Sequence, residues 1–512
     1  MAKQPLRITF FAALWLQLFW IAACSSAADN PTASPAAPAS TETILVWQDS
    51  GPNPLENTAN TPGVIGLIGA EGEITPLLDV PSTARTVKAC GDTATSPDSR
   101  WFAFYVGHTQ GTLYLMDNHA EPVEIGEAAV LSCLSSGGFR YTPDSEQLAY
   151  INYGNNPTNG EFVTGTLRLL TTADGTEAYQ HDRVAGFDLN NAGVLFGEFF
   201  TNDRNQVDQL LLHWWENDET REVATLRSDP QCRFTGVNPR LTDAYSAIIA
   251  VVQRCPGVGS SWQLYNLELG DGRISLIGSE QQAGTFAPYS RTNLLLLAPD
   301  AQTAFLAAAD GVTAHTAAML RVNIADMAVD AYVDRQMMLP ALTRPADALP
   351  LTSPDGRWFA AVVTSPNGDN TLTVFDLADN TKSPLTYPAA RRGDVVADMV
   401  FTPDSEFLYF IAGKVDSARE TSTALYQMRL SDGETSLLRR GRYIQGMALA
   451  PDASHLSLLE YVIPDDDTQP GYLNLVSVPV DGSTSEILYT GATLTDDRVR
   501  DLRFAYPLSW RP

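Results

Sequence analysis

The chain has 512 residues, 44% of them hydrophobic, enough for several small domains or one large repeat array. Its 33 Lys and Arg against 60 Asp and Glu give a formal net charge of −27. That balance excludes a basic nucleic-acid face and electrostatic docking on anionic lipid.

At the N-terminus, Lys3 and Arg7 precede the apolar run ITFFAALWLQLFWIAA, which stops at Cys24. A charged start followed by a short apolar core is the layout of a secretory signal. Ile21-Ala22-Ala23-Cys24 places two small residues between an aliphatic residue and a cysteine, and so resembles the box of bacterial lipoprotein signals. The resemblance implies cleavage before Cys24 and acylation of its sulfur, which would anchor the chain in a bilayer. The stretch SSAADNPTASPAAPASTET has no apolar period and reads as a tether. The expected organisation is a signal peptide over 1–23, lipidated Cys24 with its tether over 24–42, and one folded region over 43–512. No later stretch is long and apolar enough for a membrane span.

After the tether, TILVW and the hairpin GVIGLIGAEGEITPLL give three strands. From Ser96 a pattern begins that recurs: SPDSRWFAFYV, TPDSEQLAYIN at Thr142, APDAQTAFLAA at Ala298, SPDGRWFAAVV at Ser353, TPDSEFLYFIA at Thr402 and APDASHLSLLE at Ala450. Pro presets φ for a tight turn, Asp bonds back to nearby backbone N–H groups, and Ser or Gly tolerates the exit. The strand that follows is apolar nearly throughout, where a half-buried strand would alternate, so both of its faces are covered. VAGFDLNNAGVLFGEFF and GVNPRLTDAYSAIIAVV keep the strands and replace the Pro-Asp. The turn residues then stand at 98, 144, 190, 243, 300, 355, 404 and 452.

A second hairpin follows each copy, as in LYNLELGDGRISLI and LYQMRLSDGETSLL, with the Asp-Gly that two-residue turns favour. Each unit therefore reads as four antiparallel strands, A to D. Residues 43–78 lack strand A and residues 498–508 supply one, RVRDLRFAYPL, so the two ends complete a unit together. The expected fold is all-β: a single β-propeller of four-stranded antiparallel blades, closed by pairing N- and C-terminal strands, with eight blades and a repeat count that allows nine. Residues 300–340 are the weakest copy. The (S/T)PD(G/S) element followed by its apolar strand resembles the WD-like repeats of TolB, tricorn protease and dipeptidyl-peptidase propellers. That resemblance spans nearly all of residues 43–508 and speaks to fold, not to activity.

The chemistry-bearing residues are sparse. No G-x-S-x-G elbow occurs, and Gly257-Val258-Gly259-Ser260-Ser261 lacks the closing Gly, so no serine hydrolase and no catalytic residue is expected. The six histidines (His108, His119, His181, His213, His315 and His455) show no ligand spacing, so the expectation is no metal and no cofactor. Asp465-Asp466-Asp467 reads as a solvated loop, and Trp214, Trp215 and Trp262 read as packing residues. Beyond Cys24 an even number of cysteines remains, which suits disulfides outside the membrane. Cys232 and Cys255 lie equally far from the turn Thr242–Tyr245, which places them opposite each other on strands A and B. Cys90 and Cys133 fall at the starts of successive A strands, so the expected bonds are 232–255 and 90–133.

In an antiparallel blade the A–B and C–D turns share one face and the B–C and D–A connections share the other. The first set is tight. The B–C loops are long and mixed, as in NYGNNPTNGEFVTG, GKVDSARETST and IPDDDTQPG. The expected function is a lipid-anchored extracytoplasmic binding or scaffolding module, and not an enzyme. It would sit in the cell envelope on the cell membrane or outer membrane, with the bilayer reached through acylated Cys24. A protein or glycan partner, and no nucleic acid, would dock on the B–C/D–A face with Tyr153 and Phe162 as contacts. The alternative is a channel-centred enzyme or ligand sensor whose residues come from several blades.

Overall fold

The computed structural model describes residues 43–51, 63–69, 72–81, 83–84, 86–90, 94–118, 121–129, 132–133, 138–153, 164–203, 206–256, 259–279, 286–288, 295–310, 317–337, 350–364, 370–379, 383–388, 394–414, 422–441, 444–462, 471–493 and 502–511. Among them, every named element is a β-strand, and every pairing is antiparallel. Cys24, the expected signal over 1–23 and the expected tether lie outside the described residues, as does Phe162.

The strands fall into repeating units, numbered here in chain order. Unit 1 is composite: Thr43–Gly51, Gly63–Ile68 and Ile74–Val80 are joined by Leu502–Arg511, which pairs with the first strand along nine of its residues from Thr43↔Arg511 to Gly51↔Leu502. Units 2 (86–129), 5 (233–279), 7 (351–388), 8 (394–441) and 9 (444–490) are separate four-stranded sheets. Units 3 and 4 form one seven-stranded sheet over 139–227, because strand Glu177–Leu189 serves as strand D of the first and strand A of the second.

Unit 6 is the weak copy, and it is a sheet of its own. Its strand A is split into Phe286–Pro288 and Leu295–Leu297, both paired with Thr303–Asp310. The described sheets comprise nine units, where the sequence suggested eight blades and a repeat count that allows nine. The weak copy over 300–340 keeps both its Pro-Asp turn and its strand pairing.

The apolar strands bury both faces, and alternate residues go to different neighbours. In unit 2, Phe102, Phe104 and Val106 join a core with Leu45 and Ile65 of unit 1, whereas Trp101, Ala103 and Tyr105 join Phe139, Leu148 and Tyr150 of unit 3. In unit 8, Leu408 and Phe410 pack with Trp358 and Val374 of unit 7, and Tyr409 and Ile411 pack with Leu456 and Val476 of unit 9. Shared cores likewise join units 3 and 4, 4 and 5, and 5 and 6. Leu475 of unit 9 shares a core with Ile44, Val46 and Ile68 of unit 1. Sheets packed face to face in succession, with D strands such as those of units 4, 5 and 8 as exposed edges, make a β-propeller architecture.

The Pro-Asp turn also links units. Inside the turn, the Ser353 hydroxyl donates to Asp355 Oδ1 at 2.5 Å and accepts the Trp358 N–H at 2.8 Å. Across units, the Asp98 N–H donates to Ser145 Oγ at 3.1 Å, and the Asp355 N–H donates to Ser405 Oγ at 3.2 Å. The Asp144 N–H reaches Asn191 Oδ1 at 3.2 Å, so Asn191 takes the same part where the Pro-Asp is missing. The repeated turn is a clip as well as a corner.

Candidate functional site

Strand Glu177–Leu189 positions a dense cluster of polar side chains. It leaves its pairing with Gly165–Thr171 and takes up Val194–Thr201 at Arg183, whose φ is +62°. Alternation along the strand puts Tyr179, His181 and Arg183 on one side. Across from them, unit 4 offers Phe196, Glu198 and Phe200 from strand B, and His213 and Trp215 from strand C. The rings interlock: His181 lies 4.6 Å from Phe196, Phe196 is 5.1 Å from His213, and Tyr179 is 5.1 Å from Trp215.

Glu198 sits at the centre, with its side chain 4% exposed. Its Oε2 is 2.9 Å from His181 Nε2 and 3.2 Å from His213 Nε2. Its Oε1 accepts the Arg183 guanidinium at 2.5 Å, and that guanidinium rests 4.4 Å above the Phe200 ring. Burial holds the His213 pKa below its ordinary value, with the Glu198 charge opposing the shift and His181 adding to it. His213 Nε2 is buried and makes no well-formed hydrogen bond among the described residues, despite its closeness to Oε2. Gln180, His181, Asp182, Arg183 and Glu198 line an open cleft of about 340 Å³. The donor atoms of His181, Glu198 and His213 lie within 4.8 Å of one another, which is the spacing of groups able to share one cation.

A second set of charges runs along the A strands. Asp188 is flanked by Arg140 Nε at 3.4 Å from unit 3 and Arg240 Nη1 at 3.7 Å from unit 5, and it accepts the Leu241 N–H at 2.8 Å. Burial pushes the Asp188 pKa up, with Arg140 opposing. In unit 8, burial raises Asp398 to about 7, against hydrogen bonds from the Met399 and Met447 N–H groups and the charge of Lys88. Lys88 belongs to strand A of unit 2 and keeps solvent contact, yet crowding by protein holds its pKa below the ordinary value. A second cleft, of about 490 Å³, lies at the A–B turns of units 4 and 5, between Asn190–Ala192 and Thr242–Ala244.

The four cysteines are joined as Cys90–Cys133 and Cys232–Cys255, with Cα separations of 4.5 and 4.2 Å. Cys90 directly follows the first segment of strand A, which resumes at Thr95, and Cys133 lies in the connection before strand A of unit 3, so neither begins a strand. Tyr153 is half-buried: it packs on the core between units 3 and 4, and its N–H donates to Ser132 Oγ at 3.1 Å. Trp214, Trp215 and Trp262 are core residues. The cluster at Glu198 was not read from the sequence, because its two histidines stand 32 residues apart on different units. The available signal was the lone acid in the apolar strand VLFGEFF, since a doubly buried strand carries a charge only where a partner meets it.

No protein-family model matches the chain. No curated protein matches it. Among solved structures, the chain is similar to a eukaryotic initiation factor at 14% identity and TM-score 0.49, over 93% of this chain and 99% of that one. It is similar to TolB from Acinetobacter baumannii at 12% identity and TM-score 0.27, over 69% and 81%. It is also similar to the β-propeller domain of the trilobed protease from Pyrococcus furiosus at 9% identity and TM-score 0.36, over 69% and 98%. Likeness at this level carries no argument about activity, and the propeller architecture of this chain rests on its own sheets and the cores they share.

Proposed function

We propose that the chain is a lipid-anchored extracytoplasmic binding module. Its propeller has nine blades, is closed by the pairing of Thr43–Gly51 with Leu502–Arg511, and is held off a membrane by acylated Cys24 and the tether. The observation that carries this reading is how the sheets are used. The B strands bury both faces against neighbouring units, so recognition falls to loops and to clefts at unit junctions. The partner is a protein or glycan, in keeping with the net charge of −27. It docks on the B–C/D–A face, with Tyr153 and Phe162 as candidate contacts.

Capture of partners by the full-length chain from detergent-solubilised envelope tests this. Grafting short Gly/Ser linkers over 155–161 and 415–420 should abolish capture and leave the melting temperature nearly unchanged. Capture that survives the grafts and is lost on altering the turns at Asp174-Gly175 and Asp432-Gly433 would place the partner on the other face. For the anchor, Cys24→Ala should block processing or release the chain from membranes. A cleaved Cys24→Ala chain that still sediments with membranes refutes the lipid attachment.

A second reading, a channel-centred ligand sensor, draws on the charges of the A strands. Arg140, Asp188 and Arg240 form one group and Lys88 with Asp398 another. Arg140→Ala and Arg240→Ala would each lower affinity for an anionic ligand under that reading.

A further inference from the structure

We propose that His181, Glu198 and His213 bind one divalent transition-metal ion, with Zn²⁺ as the occupant, leaving open coordination positions toward the cleft between units 3 and 4. The proposal stands on the cluster alone, whether or not the partner-binding reading holds.

The donor set is the first argument. Two imidazoles and one carboxylate suit zinc and neighbouring first-row ions, and three protein ligands with an open side make a site that exchanges its remaining ligand. The disulfides place the chain in an oxidising compartment, where redox-silent Zn²⁺ keeps its state.

Distances are the second. Glu198 Oε2 lies 2.9 Å from His181 Nε2 and 3.2 Å from His213 Nε2. With metal–ligand bonds of about 2.1 Å, such separations subtend roughly 90–100° at a shared ion. Both rings present Nε2 to the same oxygen. His181 Nδ1 is 3.3 Å from the Tyr179 hydroxyl, which also meets Thr220 Oγ1 at 2.9 Å, so the outer nitrogen already has the kind of partner that orients a ligating imidazole. His213 Nε2 is buried and lacks a well-formed hydrogen bond, and an ion bridging the three donors satisfies it.

The third argument is a comparison within the molecule. Strand B of unit 9, HLSLLEYV, also carries a glutamate in an apolar run, Glu460. There strand D of unit 8 supplies Arg439, whose Nη2 donates to Glu460 at 2.6 Å, and the charge is neutralised by a guanidinium. At Glu198 the preceding unit supplies His181 instead, and strand C adds His213. Arg183 takes only Oε1, which turns Oε2 toward both imidazoles. Its positive charge opposes a second cation, but its side chain is 60% exposed and water screens it.

The test uses the full-length chain in detergent, without a polyhistidine tag, stripped by a chelator and dialysed against ZnCl₂. The expected result is one zinc per chain by metal analysis and a rise in melting temperature. His181→Ala, on a part-exposed side chain, should weaken uptake at least tenfold while the metal-free melting temperature stays near that of the parent. Glu198→Gln should do the same if it folds, and His455→Ala, away from the cluster, should leave uptake unchanged. Failure to take up Zn²⁺, Co²⁺ or Mn²⁺ overturns the proposal, as does uptake that His181→Ala leaves intact. Uptake of Mn²⁺ or Co²⁺ in preference to Zn²⁺ overturns the assignment of zinc.

Discussion

Asp398 of unit 8 accepts a hydrogen bond from the Met447 N–H of unit 9 at 2.9 Å. This bond ties two A strands together through a carboxyl group that burial has raised from 3.8 to about 7. Asp188 makes the same kind of bond to the Leu241 N–H, from unit 4 to unit 5. Each is an interior carboxylate that joins neighbouring units.

The pH dependence follows from Asp398. Its folded pKa lies above its unfolded value, so between about pH 4 and 7 the native state holds a proton that the unfolded chain has released. Its contribution is present below that window and is lost as pH rises through about 7. The full shift would amount to ~4 kcal/mol, and partial contact with solvent reduces it to on the order of 2 kcal/mol. Asp398→Asn should therefore flatten the loss of stability between pH 4.5 and 8, read from denaturant melts at the two pH values. An unchanged difference in the variant would show that the dependence comes from other groups.

The Cys232–Cys255 bond closes a hairpin within unit 5, and Cys90–Cys133 joins unit 2 to unit 3. The hairpin runs in one register from Leu241↔Ala247 to Gly236↔Val252, then slips by one at Thr235 so that Arg233 faces Arg254. That bulge brings the next residues, the two cysteines, opposite each other. With sequence separations of 23 and 43, loss of either bond should cost about 3–4 kcal/mol. Replacing each pair by serine and comparing melts with the oxidised parent checks this. A pair whose loss leaves the melt unmoved does not constrain the unfolded chain.

The turn clips can be separated from the turn geometry. Ser145→Ala and Ser405→Ala each remove an oxygen that accepts an Asp N–H from the preceding unit, and each should cost ~1 kcal/mol. Equal losses from Asp98→Ala and the double variant Asp98→Ala with Ser145→Ala would identify one shared interaction network. A neutral Ser405→Ala would leave the clip without a role in stability.

Several turn exits are left-handed without glycine. Ala301 and Ala453 have φ of +54° and +57°, where the Gly356 of another copy has +71°. A β-carbon is unfavourable there. Ala453→Gly should stabilise by ~0.5–1 kcal/mol, and Gly356→Ala should destabilise by about 1 kcal/mol. Thermal melts with the opposite order would show that contacts outside the turn dominate.

The features legible in the chain alone are local or periodic. SPDSRWFAFYV states its own turn and its own double burial, because turn chemistry acts over four residues and strand alternation has a period of two. The pairing of Cys232 with Cys255 was legible because a hairpin joins near neighbours, although the bulge at Thr235 that completes the register was not. The composite unit was legible because each chain end carried the strands that the other lacked.

Other features depend on how units meet in space. Unit 6 counts as a sheet because Leu295–Leu297 and Phe286–Pro288 both find Thr303–Asp310, so that its strand A is made of two pieces that no local pattern joins. Tyr153, a loop aromatic in the sequence, is drawn into the core between units 3 and 4. His181, Glu198 and His213 come together only because one strand, Glu177–Leu189, leaves one sheet and enters the next at Arg183, carrying a D-strand histidine onto the face of its neighbour. Contacts between units have no period and no fixed spacing along the chain, so they are set by the packing of one sheet on another.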